Sequence, residues 1–331
     1  MSSMYDFNLD EVSDWIVRRE AKKVAVQLPE GLKLHALDIM SGLEERTGAD
    51  ILLLADPCYG ACDFPTDFRR FAEALVQFGH AEMPCLRAPD DVFFVEVHAD
   101  VDPIPLLEEA LEKLGEKVGI ITTVQHIRLL PTVKEWLEKN GRVAIVSEGD
   151  SRVAHAGQVL GCNVTPASSL AAAVDQFLYI GSGNFHPLAV SIETSKPVIV
   201  IDPLNREVRD VQDLTDKVLR QRHGAIVLGS EAKIFAILVC TKPGQMRLEL
   251  ARSLRSKLES KGRKGFLIAM DRFDSDSLIA LKVDAYVSTA CPRLAIDDYL
   301  RYNKPILTPV ELEIALGLRD WEDYRFDSIL G

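Results

Sequence analysis

Lys233-Ile234-Phe235-Ala236-Ile237-Leu238-Val239-Cys240-Thr241-Lys242-Pro243-Gly244-Gln245 is an apolar run with no polar alternation, closed by a turn signal. A helical pattern from Met246 to Leu258 follows it. A strand that is apolar on both sides belongs in a parallel sheet covered on both faces, and the following helix supplies one cover. The same plan opens two earlier segments. Lys22-Lys23-Val24-Ala25-Val26-Gln27-Leu28-Pro29-Glu30-Gly31-Leu32 leads into a helical stretch ending near Glu45. Lys117-Val118-Gly119-Ile120-Ile121-Thr122-Thr123-Val124-Gln125-His126 leads into one that includes Val133 to Leu137.

Each opening is followed by further apolar runs. Ile51–Leu54 and Phe93–Val97 belong to the first, Val143–Val146 and Phe177–Ile180 to the second, and Phe266–Met270 and Ala285–Val287 to the third. Residue identity between the thirds is low, so the repeat is one of pattern. The expectation is an α/β protein of three similar Rossmann-like modules with parallel sheets, arranged pseudo-threefold around a shared centre. Residues 1–100 carry Cys62, residues 101–200 carry Cys162, and residues 201–331 carry Cys291. The second boundary is placed at Ile201-Asp202-Pro203-Leu204, and no low-complexity linker separates the modules.

The chain of 331 residues is long enough for such cores, and its 47% hydrophobic and 27% charged content is that of a soluble globular protein. A formal net charge of −12 speaks against direct nucleic-acid binding, which calls for a basic face. No apolar run approaches the roughly 18 to 20 residues of a membrane span. Met1-Ser2-Ser3-Met4-Tyr5-Asp6 lacks the basic and then apolar pattern of a signal peptide, so a cytoplasmic location is expected. Six cysteines in that setting favour metal binding or catalysis over cross-linking.

Three of the six are read as lying where a strand-like run breaks into a loop: Tyr59-Gly60-Ala61-Cys62, Val159-Leu160-Gly161-Cys162 and Ser288-Thr289-Ala290-Cys291. Ligands of open parallel sheets collect outside the carboxyl ends of the strands. One thiol from each module therefore points to a shared metal site with an open coordination position. Cys58 is four residues from Cys62 and competes with it. The small Gly60 and Ala61 favour Cys62, since they leave room beside the backbone. Cys291-Pro292 has the arrangement that recurs beside iron–sulfur ligands, although a single Cys-Pro is weak evidence. Cys85 and Cys240 lack such settings and read as structural.

Gly181-Ser182-Gly183, followed by Asn184-Phe185-His186-Pro187, forms a small-residue loop whose amides can approach a carboxylate or a ribose, or which serves as a plain turn. It lacks the third glycine of a dinucleotide fingerprint. Gln125 and His186 are pocket-lining candidates, as is His126. Gly149-Asp150-Ser151-Arg152 reads as a turn with an ion pair.

Taken in order, Pro29-Glu30-Gly31-Leu32, Tyr59-Gly60-Ala61-Cys62-Asp63, Thr122-Thr123 with Gln125-His126, and Gly149-Asp150-Ser151-Arg152 resemble the archaeal-type catalytic subunit of diphthamide synthase. Gly157 to Asn163, Gly181 to Gly183 with Phe185-His186-Pro187, Ala290-Cys291-Pro292-Arg293 and Ile296-Asp297-Asp298-Tyr299 extend that resemblance over nearly the whole chain. It implies a homodimer in which Cys62, Cys162 and Cys291 hold a 4Fe–4S cluster. Cofactor contacts would come from Gly181, Ser182, Gly183, His186 and Gln125, with no catalytic side chain beyond the cluster. It further implies cleavage of S-adenosylmethionine to a 3-amino-3-carboxypropyl radical and 5′-methylthioadenosine. The radical would add to C2 of a histidine imidazole in translation elongation factor 2, with the electron drawn from an unidentified reductant. Cys58 would be an extra thiol. The Cys-x3-Cys-x2-Cys loop of ordinary radical S-adenosylmethionine enzymes is absent from the sequence. Two other readings fit one cysteine per module: a quinolinate synthase-like 4Fe–4S dehydratase, and a non-catalytic scaffold subunit of the same fold.

Overall fold

The structure is a computed structural model and describes residues 4–331. Met1 to Ser3, which begin the segment read for a signal peptide, lie outside the described residues. A short strand β1 (Tyr5–Asp6) precedes a sheet made of β2 (Lys23–Gln27), β3 (Asp50–Leu54), β4 (Ala74–Phe78) and β5 (Val92–Val95). Strand β6 (His98–Ala99) returns to pair antiparallel with β1. A second sheet holds β7 (Lys117–Thr122), β8 (Val143–Ile145), β9 (Gln176–Ile180), β10 (Val198–Asp202) and β11 (Glu207–Asp210). The third holds β12 (Ile234–Cys240), β13 (Lys264–Met270), β14 (Ala285–Ser288) and β15 (Ile306–Leu307).

The strand orders are β3-β2-β4-β5, β8-β7-β9-β10-β11 and β13-β12-β14-β15. Each sheet thus begins at its centre, adds its second strand on one side, and adds its third and fourth on the other. Apart from β11, all pairings within these three sheets are parallel. The helix after each opening strand repeats one burial pattern. Ala36, Ile39 and Leu43 are buried in the first, Leu130, Val133 and Leu137 in the second, and Ala251, Leu254 and Leu258 in the third. Spacing of three and then four residues places each trio on a single helix face, and that face covers the sheet.

Alternate residues of the strands feed two different cores, and both are apolar. Val24, Val26, Val76 and Phe78 pack on one side of the first sheet, and Ala25 and Leu75 on the other. In the second sheet Phe177 and Tyr179 oppose Leu178 and Ile180. In the third, Phe235, Ile237 and Val239 oppose Ala236 and Leu238. Two-sided burial is what unbroken apolar runs encode, and each large side chain removed from water adds about 1.5–3 kcal/mol.

The second expected boundary needs correction. Ile201-Asp202-Pro203-Leu204 does not separate neighbouring modules: β10 runs through Asp202, turns at Pro203 to Arg206, and pairs antiparallel with β11. Four turn residues are too few for the crossover a parallel strand requires, so this pair must be antiparallel. The middle sheet therefore extends to Asp210, and the helix Gln212–Glu231 leads to the third. Among the described residues no helix is long and apolar enough to cross a membrane.

Candidate metal centre

The connections leaving the carboxyl ends of the strands converge on one cavity of about 180 Å³. The first sheet contributes Tyr59 to Cys62 after β3, and His80, Ala81 and Met83 after β4. The second contributes Thr123 to Gln125 after β7, Gln158 to Cys162 after β8, and Phe185 with His186 after β9. From the third come Gln245 after β12, and Cys291 with Arg293 after β14. Cys62, Cys162 and Cys291 therefore face the same space from three different sheets.

Their positions relative to the strands differ from the sequence expectation. Only Cys291 follows a strand closely, three residues beyond Ser288 of β14. Cys62 lies well past Leu54 of β3, and Cys162 well past Ile145 of β8. The apolar run Val159-Leu160 forms isolated bridges and no strand of a sheet, because Gln158 meets Thr122 and Leu160 folds back on Asn163. Cys62 and Cys162 thus occupy the connection after the second strand of their sheets, and Cys291 the one after the third.

Cys58 is buried but is not among the residues lining the cavity. Its sulfur accepts a hydrogen bond from Gln77 Nε2 at 3.3 Å and lies 3.9 Å from His80 Nδ1. Burial, followed by the Asp63 charge, pushes its thiol up to about 12. Cys62 accepts from Gln245 Nε2 at 3.3 Å. A side chain at Gly244 would put its Cβ 2.4 Å from the Cys62 Cβ, so only glycine allows the third sheet's loop to close against that cysteine. Burial, with Cys162 adding to it, raises the Cys62 thiol to about 12. Burial and the same neighbour raise Cys291 as well. Clustered thiols in a dry cavity are costly to ionise, and a bound cationic centre reverses that cost.

No three ligating side chains among the described residues converge tightly enough for a single metal ion. Three thiols spread around a common cavity suit a multi-atom sulfur-ligated cluster instead, and the all-cysteine donor set has the softness that iron–sulfur chemistry requires. The rest of the lining is largely apolar or uncharged. His80 and His186 are held neutral, their basicity lowered to about 4 by burial. Arg293 lies over the rings of Tyr59 and Phe185, at 5.5 and 5.7 Å.

Of the five residues read as cofactor contacts, Gln125 and His186 line the cavity. Gln125 also donates to the Gly79 carbonyl at 2.8 Å, tying the second sheet to the first. Gly181, Ser182 and Gly183 are not in the lining. They form a turn with φ of 144° at Gly181 and 77° at Gly183, fastened by Ser182 Oγ to Asp202 at 2.9 Å and by Arg209 to the Gly183 carbonyl at 2.9 Å. His126 is buried next to the cavity without lining it, and its Nδ1 has no partner.

The segment Gly149–Arg152 proves to be more than a turn. Asp150 does not pair with the Arg152 guanidinium; it accepts from the backbone amides of Arg152 and Gly331 and from Asn163 Nδ2. Arg152 is buried and donates to the Gly244 carbonyl at 2.6 Å. Its guanidinium faces the Cys162 and Cys62 sulfurs. His80, Gln245 and Arg152 were not singled out from the sequence as site residues. Each lies in a connection after a strand's carboxyl end, and that position was the available signal.

Residues 28–325 match the family described as putative diphthamide synthesis protein. The chain is 38% identical, over 335 residues, to 2-(3-amino-3-carboxypropyl)histidine synthase of Pyrococcus horikoshii, covering 99% of this chain and 95% of that protein. It is 30% identical, over 349 residues, to subunit 1 of the human synthase of that name, covering all of this chain and 76% of that protein. Its backbone is similar to the crystal structure of Dph2 from Pyrococcus horikoshii with a 4Fe–4S cluster. The TM-score is 0.89 at 36% identity, and the match covers 98% of this chain and 94% of that one.

Proposed function

Because the chain belongs to the diphthamide synthesis protein family, we propose that it transfers the 3-amino-3-carboxypropyl group of S-adenosylmethionine to C2 of a histidine imidazole in translation elongation factor 2. The enzyme is a transferase of diphthamide biosynthesis. The observation that carries the finer reading is the cavity faced by Cys62, Cys162 and Cys291 from three sheets. These cysteines would hold a 4Fe–4S cluster with one iron left open. When bound and reduced, the cluster supplies the electron that breaks the bond from sulfur to the γ-carbon of the methionine moiety, giving a 3-amino-3-carboxypropyl radical and 5′-methylthioadenosine.

The chain's own residues set where that happens. Gln245 holds the Cys62 sulfur in place at 3.3 Å, and Gly244 lets the third sheet approach it. Ala61, Ala81, Val124 and Phe185 make much of the lining apolar, which keeps water from a reactive carbon intermediate. His186 and Gln125 present uncharged polar groups beside the thiols, so they can orient a zwitterionic group without adding charge. Gly181, Ser182 and Gly183, outside the lining, are assigned to the periphery of the co-substrate site.

The reading includes a homodimer in the cytoplasm, with modules arranged pseudo-threefold and an external reductant. Family membership weighs against the quinolinate synthase-like alternative. The presence of all three thiols around one cavity weighs against a scaffold role. The test is anaerobic incubation of the reduced, cluster-loaded protein with S-adenosylmethionine and the elongation factor. Methylthioadenosine should appear together with one 3-amino-3-carboxypropyl group on the factor. Full cluster loading without methylthioadenosine would overturn the reading.

A further inference from the structure

Arg152 is buried to 3% exposure, and among the described residues no carboxylate pairs with its guanidinium. Burying a cation unpaired is expensive, so an anionic partner is expected where the guanidinium points. The carboxylate two residues before it, Asp150, is turned away and occupied by Asn163 and two backbone amides. One guanidinium nitrogen donates to the Gly244 carbonyl at 2.6 Å, while Nε is buried with no partner. What the group does face is sulfur: the Gly244 it grips packs directly against Cys62, and the Cys162 and Cys62 sulfurs are its neighbours.

The two other arginines near the thiols are engaged elsewhere. Arg293 lines the cavity but pairs with Asp297 at 3.1 Å. Arg247 is bound by Asp327 at 2.6 Å and by the Thr289 and Ala290 carbonyls. Arg152 thus approaches Cys62 and Cys162 from behind the lining as a cation with a spare donor.

We propose that Arg152 is a positioning residue for the metal centre, setting its charge balance by placing a fixed cation and a free N–H against the Cys162 and Cys62 sulfurs. The inference rests on the reading that these cysteines hold a 4Fe–4S cluster. A cluster held by three thiolates is anionic, and taking up one electron from an external donor makes it more so. Net charge and hydrogen bonds to the sulfurs are among the quantities that set such a potential. A buried cation lowers the cost of the added electron, so Arg152 holds the potential up and makes reduction easier.

The test is a dithionite titration, with redox mediators, of the full-length, anaerobically reconstituted protein. It follows visible absorption and the paramagnetic signal of the reduced form, with iron per chain measured alongside. Wild-type protein that binds no iron would mean failure of the functional reading itself. With wild type loaded, Arg152→Gln should retain iron and shift the midpoint to a more negative potential, and Arg152→Lys should restore most of that shift. Arg152→Gln titrating with the wild type, or Arg152→Lys shifting as far as Arg152→Gln, overturns the inference while leaving the cluster assignment intact. If Arg152→Gln holds no iron, Arg152→Lys decides: iron at a near wild-type potential supports the charge role, and its loss from both variants overturns it.

Discussion

Gly244 shows how narrowly the centre is built at the level of single residues. An added methyl would meet the Cys62 Cβ at 2.4 Å and its Cα at 2.7 Å, and Leu86 at 2.9 Å. Two of these contacts are with atoms at or next to the backbone, which have little freedom to move. Gly244→Ala should therefore displace the Cys62 loop at a cost of about 1–3 kcal/mol, the usual scale of overpacking. The expected outcome is markedly lower iron per chain after anaerobic reconstitution. Cys58→Ala should leave iron content near wild type, because that sulfur is held by Gln77 outside the cavity. Equal iron in Gly244→Ala and wild type would refute the close-approach argument. The sequence marked the Tyr-Gly-Ala-Cys stretch as important and favoured Cys62. Which thiol faces the cavity depends on where Gln77 and Gln245 stand after folding, and no local spacing encodes that.

At the scale of elements, the strands were legible because two-sided burial leaves an unbroken apolar run, as in Ile234 to Cys240. The connections were not, since a loop's course is fixed by partners far away in the chain; hence the displaced positions of Cys62 and Cys162. Three of those connections carry desolvated imidazoles: His126, buried after β7, and His80 after β4 and His186 after β9, both partly buried in the cavity lining. Burial lowers each from 6.5 to about 4. A base whose folded value is depressed binds its proton less well folded than unfolded. Its contribution to stability is complete above about pH 6.5 and is lost as pH falls from there toward 4. The slope for each ring approaches roughly 1.4 kcal/mol per pH unit. Urea unfolding should show a lower midpoint at pH 5 than at pH 7, and His126→Gln should flatten that dependence. An unchanged slope in the variant would exclude His126 as a contributor.

At the scale of the whole molecule, the sheets are held in register by the C-terminal segment, which crosses from the third sheet to the second. Asp327 is bound by Arg247, whose other donors grip the Thr289 and Ala290 carbonyls just before Cys291. Two residues on, the Ile329 amide donates to the Cys162 carbonyl at 2.7 Å, and Asn163 Nδ2 returns a bond to the Ile329 carbonyl at 3.0 Å. The Gly331 amide then meets Asp150, on the loop that carries Arg152. Five residues thus tie the Cys162 and Cys291 loops together, and they do so across 166 positions of sequence between Asn163 and Ile329. The segment has no periodicity that would announce this. Truncation after Phe326 should cost roughly 3–5 kcal/mol, from three hydrogen bonds at about 1 kcal/mol each and an unpaired Arg247. The apolar faces of the three sheets draw little on these residues, so the shortened chain should still unfold cooperatively in urea. Its iron content should fall much further than its stability, because two of the three thiol-bearing loops lose their common support. Full iron loading in the truncated protein would show that the sheets alone bring the three thiols together.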